Sequence, residues 1–190
     1  MESIDLKSER RAKDHMTVCG EQARLIANST RSGVATNLVA GAFAAGALLD
    51  SPIPWVLVVA WFALLCLSIA FRVWAVTRPW PDGDLVLCRQ WLTRFARSAG
   101  AMGLAWGSLG LAFFLHPGTL PEALIVMCLI GVTGAATASF GVYARAATAF
   151  SVPALLPMTI HYVLHGMTGT NGWVIASTMA VLPLIYLALL

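Results

Sequence analysis

From Ala146 to Leu190 the chain carries no Asp, Glu, Lys or Arg. A stretch of that length without charge cannot form the surface of a globular domain in water, but it suits two lipid-embedded helices of about 20 residues each, enough to cross ~30 Å of hydrocarbon. Applied to the whole chain, the same criterion gives six apolar spans: Thr30 to Leu49, Ile53 to Val76, Phe95 to Leu115, Pro121 to Tyr143, Ala147 to His165 and Gly172 to Leu190. In lipid the backbone must satisfy its own hydrogen bonds, which makes these segments helices; the alternating pattern of a membrane-barrel strand is absent. The expected fold is therefore all-α, a six-helix transmembrane bundle over residues 30–190. Residues 1–29 precede it as a cytoplasmic, partly amphipathic helix, with Leu6, Val18, Leu25 and Ile26 set among mixed charges.

The cations say which way the bundle faces. All 12 Lys and Arg fall in three places. Lys7, Arg10, Arg11, Lys13, Arg24 and Arg31 precede span one, Arg72, Arg78, Arg89, Arg94 and Arg97 lie between the bodies of spans two and three, and Arg145 links spans four and five. The other three connections, Asp50 to Pro52, His116 to Leu120 and Gly166 to Asn171, are short and free of cations. A Lys/Arg bias of this kind sets orientation, so both termini are expected in the cytoplasm, with the chain in a bacterial inner membrane. Only 11% of residues are charged against 58% hydrophobic, and mean hydropathy is +0.77. The formal net charge of +3 then matches anionic headgroups and is no nucleic-acid signal. The polar start of the chain lacks the apolar run of a cleaved signal peptide. Cys19 and Cys88 are expected on the cytoplasmic side and Cys66 and Cys128 within spans, which predicts four free thiols.

Candidate functional residues lie mostly on small or kinked faces. In span three Gly100, Gly103, Gly107 and Gly110 share one face, and Gly131 and Gly134 repeat the device in span four. Small faces let helices approach closely in lipid, either as packing within the bundle or as a dimer seam. Pro153 and Pro157 in span five remove two backbone donors on nearly the same face and kink the helix, as a bent strut or a hinge. The freed carbonyls are expected to meet Thr133, Thr137 or Ser139 of span four. His116, and the i, i+4 pair His161 and His165, come out on the outer side with Met158 and Glu122 at similar depth. Such a set suits copper, zinc or haem, or a proton-sensing cluster, and equally suits headgroup contact. Asn37 is a polar group at depth, and Arg72 and Arg97 are expected to snorkel to the cytoplasmic interface. No nucleophile signature, phosphate-cradling loop or deep carboxylate is visible, which argues against catalysis and against a proton- or sodium-coupled pump in these residues.

Three segments, RQWLTRFARSAGAMGLAWGSLGLAFF, LIVMCLIGVTGAATASFGVYARAATAF and SVPALLPM, resemble spans of a known family. With Trp106 and Gly107, a Gly/Ala-rich fourth span and the paired prolines of the fifth, the run from Arg89 to Pro157 resembles the MASE-type multi-span sensor regions of bacterial diguanylate cyclases, EAL phosphodiesterases and hybrid histidine kinases. The resemblance implies a sensory input domain, homodimeric, which detects a small or lipid-like ligand or the membrane state and regulates cyclic-di-GMP turnover or a kinase. It also implies an output domain after residue 190, which agrees with a last span that ends without interfacial anchors. The rival class is a small six-span transporter or substrate-binding membrane subunit, and a third is a plain membrane anchor.

Overall fold

The computed structural model describes residues 2–77, 84–115, 120–166 and 181, with side chains from residue 16 onward at most of these positions. Every regular element among the described residues is a helix: α1 (Glu2–Leu49), α2 (Trp55–Val76), α3 (Leu85–Leu115), α4 (Leu120–Phe140) and α5 (Ala144–Gly166). The all-α expectation holds. The sixth predicted span, apart from Val181, lies outside the described residues. Two of the helices, Met16–Leu49 within α1 and the whole of α2, are long and apolar enough to cross a membrane.

Local chemistry explains where the helices stop. Prolines at 52 and 54 separate α1 from α2, since neither ring can continue a helix, and the Ser51 amide closes the turn on the Leu48 carbonyl at 3.0 Å. Asp84 caps α3, its Oδ1 accepting from the amides of Val86 at 2.7 Å and Leu87 at 3.4 Å. A tight turn over 141–143 reverses the chain between α4 and α5, with the Tyr143 amide donating to the Phe140 carbonyl at 2.7 Å. α1 is much longer than a bilayer requires: its 48 residues reach about 72 Å at 1.5 Å per residue. The helix therefore runs unbroken from its charged start into the apolar Val34–Leu49 stretch.

α3 sits at the centre and packs most closely on α5, then on α2, while α1 leans on α2 and α4. The α3–α5 approach is made possible by glycine. A Cβ on Gly103 would strike the Phe150 carbonyl oxygen and lie 2.9 Å from Pro153 Cγ, and one on Gly107 would strike the Pro153 carbonyl oxygen. At Gly110 it would meet Pro157 Cβ at 3.0 Å, and at Gly100 the Ala149 oxygen at 3.5 Å. This corrects the expected partners of the proline-freed carbonyls. A proline at 153 leaves the Ala149 carbonyl without its helical donor, and one at 157 leaves that of Pro153. Both oxygens face the glycines of α3, whose Cα–H groups are the donors at hand. Thr137 instead bonds its own helix at the Thr133 carbonyl, 2.8 Å away. The α3 glycine face is thus covered within the chain by α5, whereas Gly131 on α4 has nothing within 4 Å.

The core between the helices is hydrophobic, built on Leu65, Phe95, Met102, Trp106, Leu129 and Phe150, yet large apolar side chains also cover the outside. Val39 and Met127 are each 71% exposed and Leu67 is 68% exposed, with Phe43, Leu57, Val59, Leu104 and Leu156 also on the outer surface. Arg72, Asn37, Ser98, Thr133, Ser151 and His161 are buried.

Candidate functional site

The most unusual of these buried groups is Arg72, which is 1% exposed. Its guanidinium carbon lies 4.2 Å from the ring centre of Phe140 on α4 and 5.0 Å from that of Phe95 on α3. Nη1 reaches the Met102 sulfur at 3.7 Å, and Nη2 comes within 3.9 Å of the Cβ position of Gly33 on α1. Nε and Nη2 find no hydrogen-bond acceptor among the described residues. The aromatic faces supply cation–π attraction, worth about 2 kcal/mol or more where water is excluded. No acidic side chain among the described residues pairs with the positive charge itself. Among the described residues the one ion pair is Arg24 with Glu21, 3.7 Å apart and exposed.

The expectation that Arg72 snorkels is therefore corrected, and helix geometry explains why. Side chains tilt toward the N-terminus of their helix, so a residue near the C-terminal end of α2 starts out pointing back along the bundle and away from the near end. Three other helices, α1, α3 and α4, then close around it. Arg97, starting from the other end of α3, is exposed.

Above Arg72 a polar pin joins three helices. Trp106 Nε1 on α3 donates to Asn37 Oδ1 on α1 at 2.8 Å, and Asn37 Nδ2 donates to the Gly33 carbonyl at 2.7 Å. Trp61 on α2 donates to the Ala105 carbonyl at 2.8 Å and meets the Trp106 ring edge-on at 5.7 Å. Asn37 was legible in the sequence as a polar group at depth; its partner was not. The Thr133 and Ser151 hydroxyls are also buried, and neither has a hydrogen-bond partner among the described residues.

The histidine set is only partly placed. His161 is 2% exposed and Met158, one turn earlier on α5, is buried with it. His116 lies outside the described residues, as do the side chains of Glu122 and His165. No group of three or more His, Cys, Asp or Glu that could hold a metal occurs among the described residues. Pro153 and Pro157 are inside α5, half-buried against α3. Gly134 is half-buried on α4 and Gly131 is exposed.

A second polar region lies where α1, the start of α3 and the α4–α5 turn converge. The expectation of four free thiols is corrected here: Cys19 and Cys88, 69 residues apart, form a disulfide, and Cys66 and Cys128 are free. The cause is the continuous helix of α1, which carries Cys19 past the apolar stretch to the level of the first turn of α3. Gln22, one turn on, donates from Nε2 to the Val142 carbonyl at 3.0 Å and ties α1 to the α4–α5 turn. Between these ties is a cleft of about 560 Å³ that includes Arg89 and Arg145 in its lining.

No protein-family model, curated protein or solved structure matches this chain.

Proposed function

We propose that the chain is a membrane-embedded sensory input domain: six spans in a bacterial inner membrane, regulating a cytoplasmic signalling output through a homodimer. The observation that carries this reading is the extent of large apolar side chains on the outer surface, around an interior that encloses Arg72 with no acidic partner among the described residues. An exposed apolar belt of this extent needs lipid or protein to cover it. An ionisable group enclosed within such a bundle is a functional site by default, because its burial costs several kcal/mol that packing alone does not require.

The mechanism follows from what can move. A ligand with different affinity for two arrangements shifts their populations by that difference alone. A small or lipid-like molecule that draws Arg72 out of its aromatic faces, or a membrane change that alters the α3–α5 contact, would shift α5 and whatever follows it. Transmission to the output would then be a rotation or displacement of the last span within the dimer.

The test is a fusion of residues 1–190 to a cyclase or kinase reporter, assayed across membrane compositions and growth conditions. Regulated output that Arg72→Met locks in one state is expected. Constitutive output under every condition would sink the reading, and uptake of a retained small molecule into vesicles would move it to the transporter class.

A further inference from the structure

The cleft at the junction of α1, α3 and the α4–α5 turn has the chemistry of an anion site. Arg89 comes from the second turn of α3 and Arg145 from the start of α5, so two cations from separate elements border one cavity of about 560 Å³. Among the described residues neither is in a salt bridge and no carboxylate lines the cleft. Tyr143 adds a hydroxyl, and Gln22 retains one amide hydrogen beyond its bond to Val142. Val18, Leu85 and Leu92 line the same cavity and give it an apolar portion. Covalent and hydrogen-bonded ties hold the walls: the Cys19–Cys88 disulfide joins α1 to α3, and Gln22 joins α1 to the turn.

We infer that this cleft binds a phosphate group, held between Arg89 and Arg145. Two arginines supplied to one cleft by different helices suit a tetrahedral anion with several acceptor oxygens, whereas a planar carboxylate is satisfied by one fork. The neighbouring groove formed by Arg89, Arg94 and Arg97 lacks this convergence, because all its residues belong to one exposed face of α3. It is a solvated basic stripe. The phosphate has two possible sources. One is the headgroup of an anionic phospholipid, whose acyl chain would extend along the exposed apolar surface; the other is a soluble phosphate compound of the cytoplasm.

This site is separate from Arg72 and needs no output domain, so it is tested on the purified 190-residue chain. In nonionic detergent, inorganic phosphate is titrated calorimetrically at constant ionic strength made up with sodium chloride. In parallel, thermal stability is compared in nanodiscs of phosphatidylcholine with and without phosphatidylglycerol. Binding of free phosphate identifies a soluble source, and stabilisation by phosphatidylglycerol alone identifies a headgroup. Either effect is expected to weaken roughly tenfold for each arginine removed, in Arg89→Gln and Arg145→Gln, and to survive in the Arg94→Gln/Arg97→Gln control. Arg145 is exposed in the first turn of α5, so its single variant remains informative if the double variant does not fold. The inference is overturned if neither phosphate source acts on the native chain, or if the control pair weakens binding as much as the cleft pair. Such a result leaves the reporter test of the sensory reading untouched.

Discussion

Replacing Gly107 by alanine tests the α3–α5 contact with a single methyl. The new Cβ would strike the Pro153 carbonyl oxygen, with Pro153 C at 3.0 Å and Ala154 Cα at 3.4 Å. All three are backbone atoms of a packed helix and cannot rotate aside, so α3 and α5 must separate along their shared length. Overpacking of this kind costs about 1–3 kcal/mol. Alanine returns roughly 1 kcal/mol through its better helix propensity, and separation also costs the Pro153 carbonyl its Cα–H contact, about 0.5–1 kcal/mol. The net loss is about 0.5–3 kcal/mol, or a fall in Tm of roughly 1–12 °C at 2–4 °C per kcal/mol for a chain of this size. The comparison that isolates the cause is Gly131→Ala, where nothing lies within 4 Å and only the propensity gain of about 0.5–1 kcal/mol applies. Scanning fluorimetry in a fixed detergent should rank the variants Gly131→Ala above native, Gly100→Ala near native, Gly110→Ala below, and Gly103→Ala and Gly107→Ala lowest. A Gly107→Ala protein as stable as Gly131→Ala would refute the close backbone approach and with it the account of the freed carbonyls.

Other outcomes follow from the same structure. Alkylation without reductant should modify Cys66 and Cys128 only, and breaking the Cys19–Cys88 link should lower stability by about 4 kcal/mol on the chain-entropy estimate for a loop of this length; mass spectrometry showing all four thiols modified before reduction would count against it. Trp106→Phe and Asn37→Leu should each cost about 1 kcal/mol, with a double-mutant cycle showing that they share one interaction; strict additivity would exclude the pin. Arg72→Met should leave the fold intact, because a buried unpaired charge exchanged for an apolar chain of similar length is tolerated, while abolishing regulated reporter output. With Cys66 and Cys128 replaced, Ser51→Cys should label only from outside and Val142→Cys only from the cytosol; the reverse pattern would invert the topology.

Much of the scaffold is legible in the chain alone, because apolar runs, glycine spacing and proline positions are local signals. The α2 segment and the close-packing small face of α3 read correctly from composition and period, and the charged start of α1 differs visibly from its apolar continuation. Individual interaction partners are not legible this way. Thr133 was as reasonable a neighbour for the proline-freed carbonyls as Gly107, since both are small or polar residues facing a helix; which one lies opposite Pro153 depends on how closely α3 and α5 approach. Cys19 was judged by compartment, and only a helix running unbroken through residue 19 brings it beside Cys88.

Arg72 marks the boundary most clearly. Sequence position alone determined that a cation stands one turn from the end of an apolar helix, and a cation there is normally drawn out to water. The tertiary structure decided that it turns inward, because the Cβ tilt of α2 starts it in that direction and Phe95, Phe140 and Met102, from two other helices, close over it. Hydropathy is a property of each residue, whereas the electrostatic surroundings of a side chain belong to the set of helices that enclose it.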